Sequence, residues 1–340
     1  MSWIRKSRLL ILYSFWVFIS VGNLFLTKWI LSDRQVPESF LIFGQLFVSL
    51  LLSLLSSTSE SKDVLCNVNI LKELVILSLF STLIYLFKYV GLSRISLTLA
   101  VTLRCASPIF QVATQYIVFG DRFSLRALTS LVPIFVGLVL ASFAESKVTV
   151  EVENIETKNS ILLGSFASIL STLVGVFHSL FAKSMLSKQL SPLTIQTYQS
   201  GIGCLLILPL ILYNWKFFNE MKSWELITIV IFKGSLSFVQ LHVALKVLEK
   251  MSTVGFSIAG STRRVLTCIL SLLLNYESSL GFIHWLGTFI SLAGILLYDS
   301  AQKTNHSFKS KMDDQVLMTV NSDCSLYSRD INENEFLERK

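Results

Sequence analysis

Ten stretches of this chain are each apolar for about the length that a bilayer demands. They fall near 9–31, 38–56, 70–92, 95–119, 126–144, 161–182, 193–213, 224–247, 252–274 and 280–300. A spanning helix needs about 20 such residues. Hydrocarbon offers no water to backbone N–H and C=O groups, so a segment there closes its own hydrogen bonds as a helix. The expected fold is therefore an all-α membrane protein with ten transmembrane helices. Hydrophobic residues make up 52% of the chain and charged residues only 15%, against nearer a quarter in soluble domains. The first run follows Arg5, Lys6 and Arg8 and is too long for a signal-peptide core, so it is expected to be retained.

The formal net charge of +7 does not point to nucleic acid. Basic residues gather in the short loops, with a moderate excess on the side that holds Lys72, Arg126, Lys183, Lys188, Lys246, Lys250 and Lys303 over the side that holds Lys28, Arg34, Lys88, Arg94, Lys147, Lys158, Lys216 and Lys222. Cytosolic loops carry such an excess, which places both termini in the cytosol. The connection holding Glu145, Glu151, Glu153 and Glu156 then lies on the far side. The sequon at Asn305 falls on the cytosolic side and is expected to stay unmodified. After Lys303 the chain turns polar and loses periodicity, so residues 304–340 are expected to form a disordered cytosolic tail. The five cysteines have no CxxC spacing, and the histidines have no ligand spacing. No metal or cofactor is expected. P-loop, GxSxG, HExxH and strand-to-helix GxGxxG motifs are all missing, which argues against an enzyme.

The two halves look alike. Gly120-Asp121 precedes a helix ending at Gly137-Leu138-Val139-Leu140-Ala141-Ser142, and Tyr276-Glu277 precedes one ending at Gly294-Ile295-Leu296-Leu297-Tyr298-Asp299. Arg104 lies seventeen residues before Asp121, and Arg264 thirteen before Glu277. That offset of four is about one helical turn, so the two charges fall on comparable faces. Five helices per half is an odd number, so a tandem copy reverses its topology. The expected organisation is two inverted five-helix repeats, 1–145 and 161–303, joined by a connecting loop at 146–160. Inverted repeats are a transporter architecture with a site near the midplane.

Charges inside these runs are the candidate site. Arg104, Arg263 and Arg264 sit in apolar surroundings, where a permanently charged guanidinium costs several kcal/mol. Few acidic residues lie in the spans to neutralise them. A diffusible anion fits, and phosphate matches the arginine fork. A structural ion pair, or snorkelling to the interface, is the bland alternative. Pro108 weakens the helix ladder just after Arg104. Ala259, Gly260, Ser261 and Thr262 leave room beside the arginine pair. Lys28 and Lys88 lie toward helix ends, and Lys233 lies inside its span. His178 and Gln240 are lone polar residues that line a cavity or simply bond between helices.

Two blocks carry a resemblance. Tyr89 to Glu145 and Leu248 to Tyr298, with Thr262-Arg263-Arg264 inside the second, resemble the triose-phosphate translocator family. That family belongs to the drug/metabolite transporter superfamily, alongside the nucleotide-sugar transporters of the solute carrier 35 group. The resemblance implies a ten-helix inverted-repeat antiporter. It implies that Arg104, Arg263 and Arg264 take the places of the family's phosphate-clamping cations, and that Lys28 matches a family lysine. Lys88 and Gln240 stand where plastid members carry a threonine and a tyrosine, so the organic-part pocket is altered. The expected activity is exchange of a nucleotide sugar or sugar phosphate for a nucleoside monophosphate or inorganic phosphate. The expected setting is the Golgi or endoplasmic reticulum membrane, with a small organic phosphate and the lipid bilayer as partners and a homodimer allowed. The other reading is a non-transporting scaffold or sorting protein that acts through its tail.

Overall fold

The described residues of each of the ten apolar runs are mostly helical. The computed structural model describes residues 2–56, 68–119, 125–150, 155–188, 190–213, 224–250, 253–274, 281–283, 285–298 and 300. In chain order the helices are α1 (Ser2–Ser32), α2 (Glu38–Ser56), α3 (Val68–Arg94), α4 (Leu97–Leu103), α5 (Ser107–Phe119) and α6 (Leu125–Thr129). Then follow α7 (Leu131–Val150), α8 (Ile155–Ser187), α9 (Pro192–Tyr213), α10 (Trp224–Lys250), α11 (Thr253–Leu273) and α12 (Trp285–Tyr298). No strand occurs among the described residues.

Seven helices, among the described residues, are long and apolar enough to cross a membrane. They are Ile11–Ser32, Glu38–Ser56, Ile70–Arg94, Leu97–Thr114, Asn159–Ser187, Pro192–Tyr213 and Trp224–Lys250. The other three expected spans are occupied by α7, α11 and α12, which do not reach that standard over described residues. The connection expected at 146–160 is largely helical, because α7 runs to Val150 and α8 starts at Ile155. The turns at Asp121 and Glu277, Asp299, the sequon at Asn305, Cys66, Cys324 and the tail 304–340 lie outside the described residues.

The expected helix at 95–119 is broken. A 3-10 turn, Arg104–Ala106, joins α4 to α5. Pro108 has no N–H to give the carbonyl of Arg104, four residues earlier. The N–H of Ser107 takes that carbonyl instead, which tightens the turn to 3-10 geometry. Hydroxyl pairs pin the broken segment: Thr98 with Ser271 at 3.2 Å and Thr102 with Thr288 at 3.1 Å.

Helix α2 packs on α9 and α10, α3 on α8 and α9, and α1 on α10. Glycine permits the closest of these approaches. A Cβ on Gly234 would lie 2.6 Å from Val48 Cβ across the α2–α10 contact. Small residues are how helices approach closely where lipid removes the hydrophobic drive to associate. Ile30, Leu41, Leu92, Leu97, Leu99, Ala100 and Ile295 lie in the largest buried cluster, and all are at most 1% exposed. Phe18, Leu55, Ile117 and Phe282 stay largely exposed, as a lipid-facing surface requires.

Candidate cavity and its cationic wall

A cavity of about 320 Å³ opens between α1, α2, α3, the broken α4–α5 segment, α8, α10 and α11. All of these helices but α2, which gives only Gln45, contribute several lining residues. Trp16, Ser20 and Asn23 come from α1, and Tyr85, Lys88 and Tyr89 from α3. Arg104, Ser107 and Gln111 come from the broken segment; Gly260, Arg263, Arg264 and Thr267 come from α11. Intervals of three and four residues keep side chains on one helix face. The adjacent Arg263 and Arg264 both border the cavity.

Four predicted cations therefore share one space: Lys88, Arg104, Arg263 and Arg264. Ion pairs among the described residues join Arg34 to Glu225, Arg94 to Glu38 and Lys188 to Glu73. None involves Lys88, Arg104 or Arg263. Arg104 Nε and Nη2 are buried and have no hydrogen-bond partner among the described residues. Arg263 Nη1 donates to Ser20 Oγ at 3.2 Å, and its guanidinium carbon lies 5.4 Å from the Trp16 ring centre. These contacts orient Arg263 without neutralising it. Lys88 Nζ sits 5.6 Å from the Tyr89 ring centre. Gln240 also lines the cavity.

Three predicted residues lie elsewhere. Lys233 is fully buried behind the wall, donating to Gln45 Oε1 and Tyr89 OH at 3.2 Å and to Ser237 Oγ at 2.8 Å. His178 Nε2 pairs with Gln199 Nε2 at 3.0 Å, an interhelical bond between α8 and α9. Lys28 Nζ donates to the carbonyls of Leu92 at 2.9 Å and Ile95 at 2.6 Å. It caps the C-terminal end of α3, where carbonyls lack intrahelical donors and the dipole favours a cation. Lys28→Met should lower stability by about 1.5–3 kcal/mol, the scale of one charge-assisted bond. Thermal denaturation with and without added phosphate compounds checks this: the melting temperature falls, while the ligand-induced increment stays as in the parent chain.

The sequence reading missed Asn23, Gln45, Ser107, Ser237 and Thr267. Their signal was present as polar residues recurring on one face of helices otherwise apolar.

The Triose-phosphate Transporter family matches residues 7–299. A Schizosaccharomyces pombe protein, C83.11, is 24% identical over 67% of this chain, which spans only about half of that relative, 51%. Phosphoenolpyruvate/phosphate translocator 3, chloroplastic, of Oryza sativa subsp. japonica is 22% identical, with 85% of this chain and 73% of the relative covered. The GDP-fucose transporter of Caenorhabditis elegans is 23% identical, with 85% and 81% covered. With the match running through all seven candidate spans, this multi-pass membrane protein belongs to the Triose-phosphate Transporter family, whose members are transporters and not enzymes.

Proposed function

We propose that the protein is a secondary antiporter of phosphate-bearing organic anions in a Golgi or endoplasmic reticulum membrane. It exchanges a nucleotide sugar or sugar phosphate for a nucleoside monophosphate or inorganic phosphate. Arg104, Arg263 and Arg264 hold the phosphate, with Lys88 beside them. The observation that carries this reading is the cavity where those cations converge, with two N–H groups of Arg104 open. Relatives named for phosphoenolpyruvate/phosphate exchange and for GDP-fucose transport support the substrate class.

The architecture belonging to this proposal is ten helices in two inverted repeats, 1–145 and 161–303, with both termini cytosolic. Matched contacts support it. Lys28 on α1 caps α3, and Lys183 on α8 caps α10 by donating to the Leu248 carbonyl at 2.8 Å. Lys183 follows Lys28 by 155 residues and Leu248 follows Leu92 by 156, so the two caps correspond to within one residue. The packing pairs also exchange under the same operation. Contact α2–α10 maps onto α9–α3, and α1–α10 onto α8–α3. Rocking of one repeat against the other would expose the cavity to each side in turn.

Exchange coupling follows from electrostatics. Unit charges about 8 Å apart at an effective dielectric near 20 repel by roughly 2 kcal/mol. An empty cluster of cations resists closure, and either anion relieves it. The test is uptake of radiolabelled nucleotide sugars and sugar phosphates by reconstituted protein. Vesicles preloaded with nucleoside monophosphate or inorganic phosphate should accumulate label, and empty vesicles should not. Equal uptake into empty vesicles rejects antiport, and no uptake of any phosphate compound rejects the function.

A further inference from the structure

One wall of the cavity carries neutral amides and hydroxyls in place of cations. Asn23 on α1, Gln45 on α2, and Ser237 and Gln240 on α10 all line it. Asn23 Nδ2 donates to Gln240 Oε1 and, at 3.3 Å, to Ser237 Oγ. Ser237 Oγ donates to Gln45 Oε1 at 3.3 Å. That oxygen also accepts from Tyr89 OH and, at 3.2 Å, from Lys233 Nζ.

This network consumes one half of each amide. The other halves, Asn23 Oδ1 and Gln45 Nε2, are buried and have no hydrogen-bond partner among the described residues. Asn23 is 4% exposed and Gln45 is 2% exposed. The orientation of Gln45 is fixed by chemistry. An ammonium only donates, so the oxygen must face Lys233 and the NH₂ must face away. An open donor and an open acceptor in a lipid-embedded bundle are unfavourable unless something visits them.

We infer that Asn23 and Gln45 read the neutral organic end of the transported anion. Asn23 Oδ1 accepts an O–H or N–H from it, and Gln45 Nε2 donates to its hydroxyl or carbonyl oxygen. The inference rests on the phosphate-transport reading of this cavity and deepens it. The cations alone meet the same oxyanion in every phosphate ester and select little among them. The amide pair selects for a second polar group on the ligand, because a ligand without one leaves both amides unpaired. Sugar hydroxyls and keto nucleobases share the required chemistry.

The test measures ligand-dependent thermal stability of the purified full chain, from which apparent affinities follow. The probes are inorganic phosphate, propyl phosphate, glucose 1-phosphate and uridine monophosphate. Glucose 1-phosphate or uridine monophosphate should bind at least about tenfold more tightly than propyl phosphate, and the tighter of the two identifies the source of the polar group. Asn23→Leu leaves the charges alone and should shrink that ratio to under about threefold. An unchanged ratio in Asn23→Leu, or no preference in the parent chain, overturns the inference. Gln45→Glu keeps an oxygen toward Lys233 and replaces the open donor with an acceptor. Its added charge weakens all phosphates alike and cancels in the ratio, whereas the lost donor weakens only ligands with a second polar group, so the ratio should also collapse, and a preserved ratio again overturns the inference. If no phosphate compound stabilises the parent chain, it is the phosphate-transport reading itself that fails.

Discussion

Arg104→Ala should abolish exchange of phosphate-bearing anions in proteoliposomes while leaving the protein folded. Two open N–H groups of Arg104 face no protein acceptor among the described residues. Charge-assisted hydrogen bonds contribute about 1.5–3 kcal/mol each, so two of them imply a loss of roughly 100-fold or more in affinity. The same change removes one of four cations around a single cavity. Repulsion therefore falls, and the ligand-free protein should melt at the same temperature or higher. Arg104→Lys separates charge from geometry. It keeps the cation but loses the planar fork, and should retain a measurable fraction of exchange. Arg264→Ala, from the facing helix α11, should match Arg104→Ala in its loss of exchange with normal expression. Exchange at the parent rate in Arg104→Ala would remove that residue from the site, and a collapse in melting temperature would make it a structural cation.

The cationic wall was legible in the sequence because bilayer depth makes a guanidinium conspicuous against an apolar run. Arg104, Arg263 and Arg264 could be picked out one at a time, and the cavity gathers all of them with Lys88 and Gln240. The break at Arg104–Ala106 was half legible, since Pro108 announces a missing donor but not that the ladder answers with a 3-10 turn. The partners of Lys28 were not legible because they depend on where α3 ends. Leu92 and Ile95, whose carbonyls it caps, lie 64 and 67 residues away. His178 was similarly ambiguous until Gln199 arrived from the next helix. The neutral wall was hidden for a different reason. Asn23 and Gln45 are ordinary polar residues in their own helices, and only packing leaves half of each amide without a partner. The helix ends beyond Ser142 escaped because the acidic stretch around Glu145 and Glu151 reads as loop, whereas α7 carries on to Val150.

Lys233→Met should move stability and affinity in opposite directions. Lys233 is 0% exposed, and its three N–H groups meet three acceptors, Gln45 Oε1, Tyr89 OH and Ser237 Oγ. No carboxylate pairs with it among the described residues. Taking an ammonium out of water costs several kcal/mol even after relaxation, more than its hydrogen bonds return without a counter-charge. Methionine fills a similar volume. It also leaves no new orphan, since Gln45 Oε1 keeps Tyr89 and Ser237 as donors. Stability should therefore rise by about 1–4 kcal/mol, the range seen when a buried ion pair gives way to well-packed apolar residues. The cavity loses a positive charge behind its wall at the same time. One unit charge about 8 Å from a phosphate at an effective dielectric near 20 contributes roughly 2 kcal/mol, or about 30-fold in affinity. Thermal denaturation and phosphate titration of one preparation read both quantities together. A higher melting temperature with weaker phosphate binding would show why a lone lysine is kept inside the bundle: its field reaches the ligand. A lower melting temperature with undiminished binding would make Lys233 a structural tie between α2, α3 and α10 and nothing more.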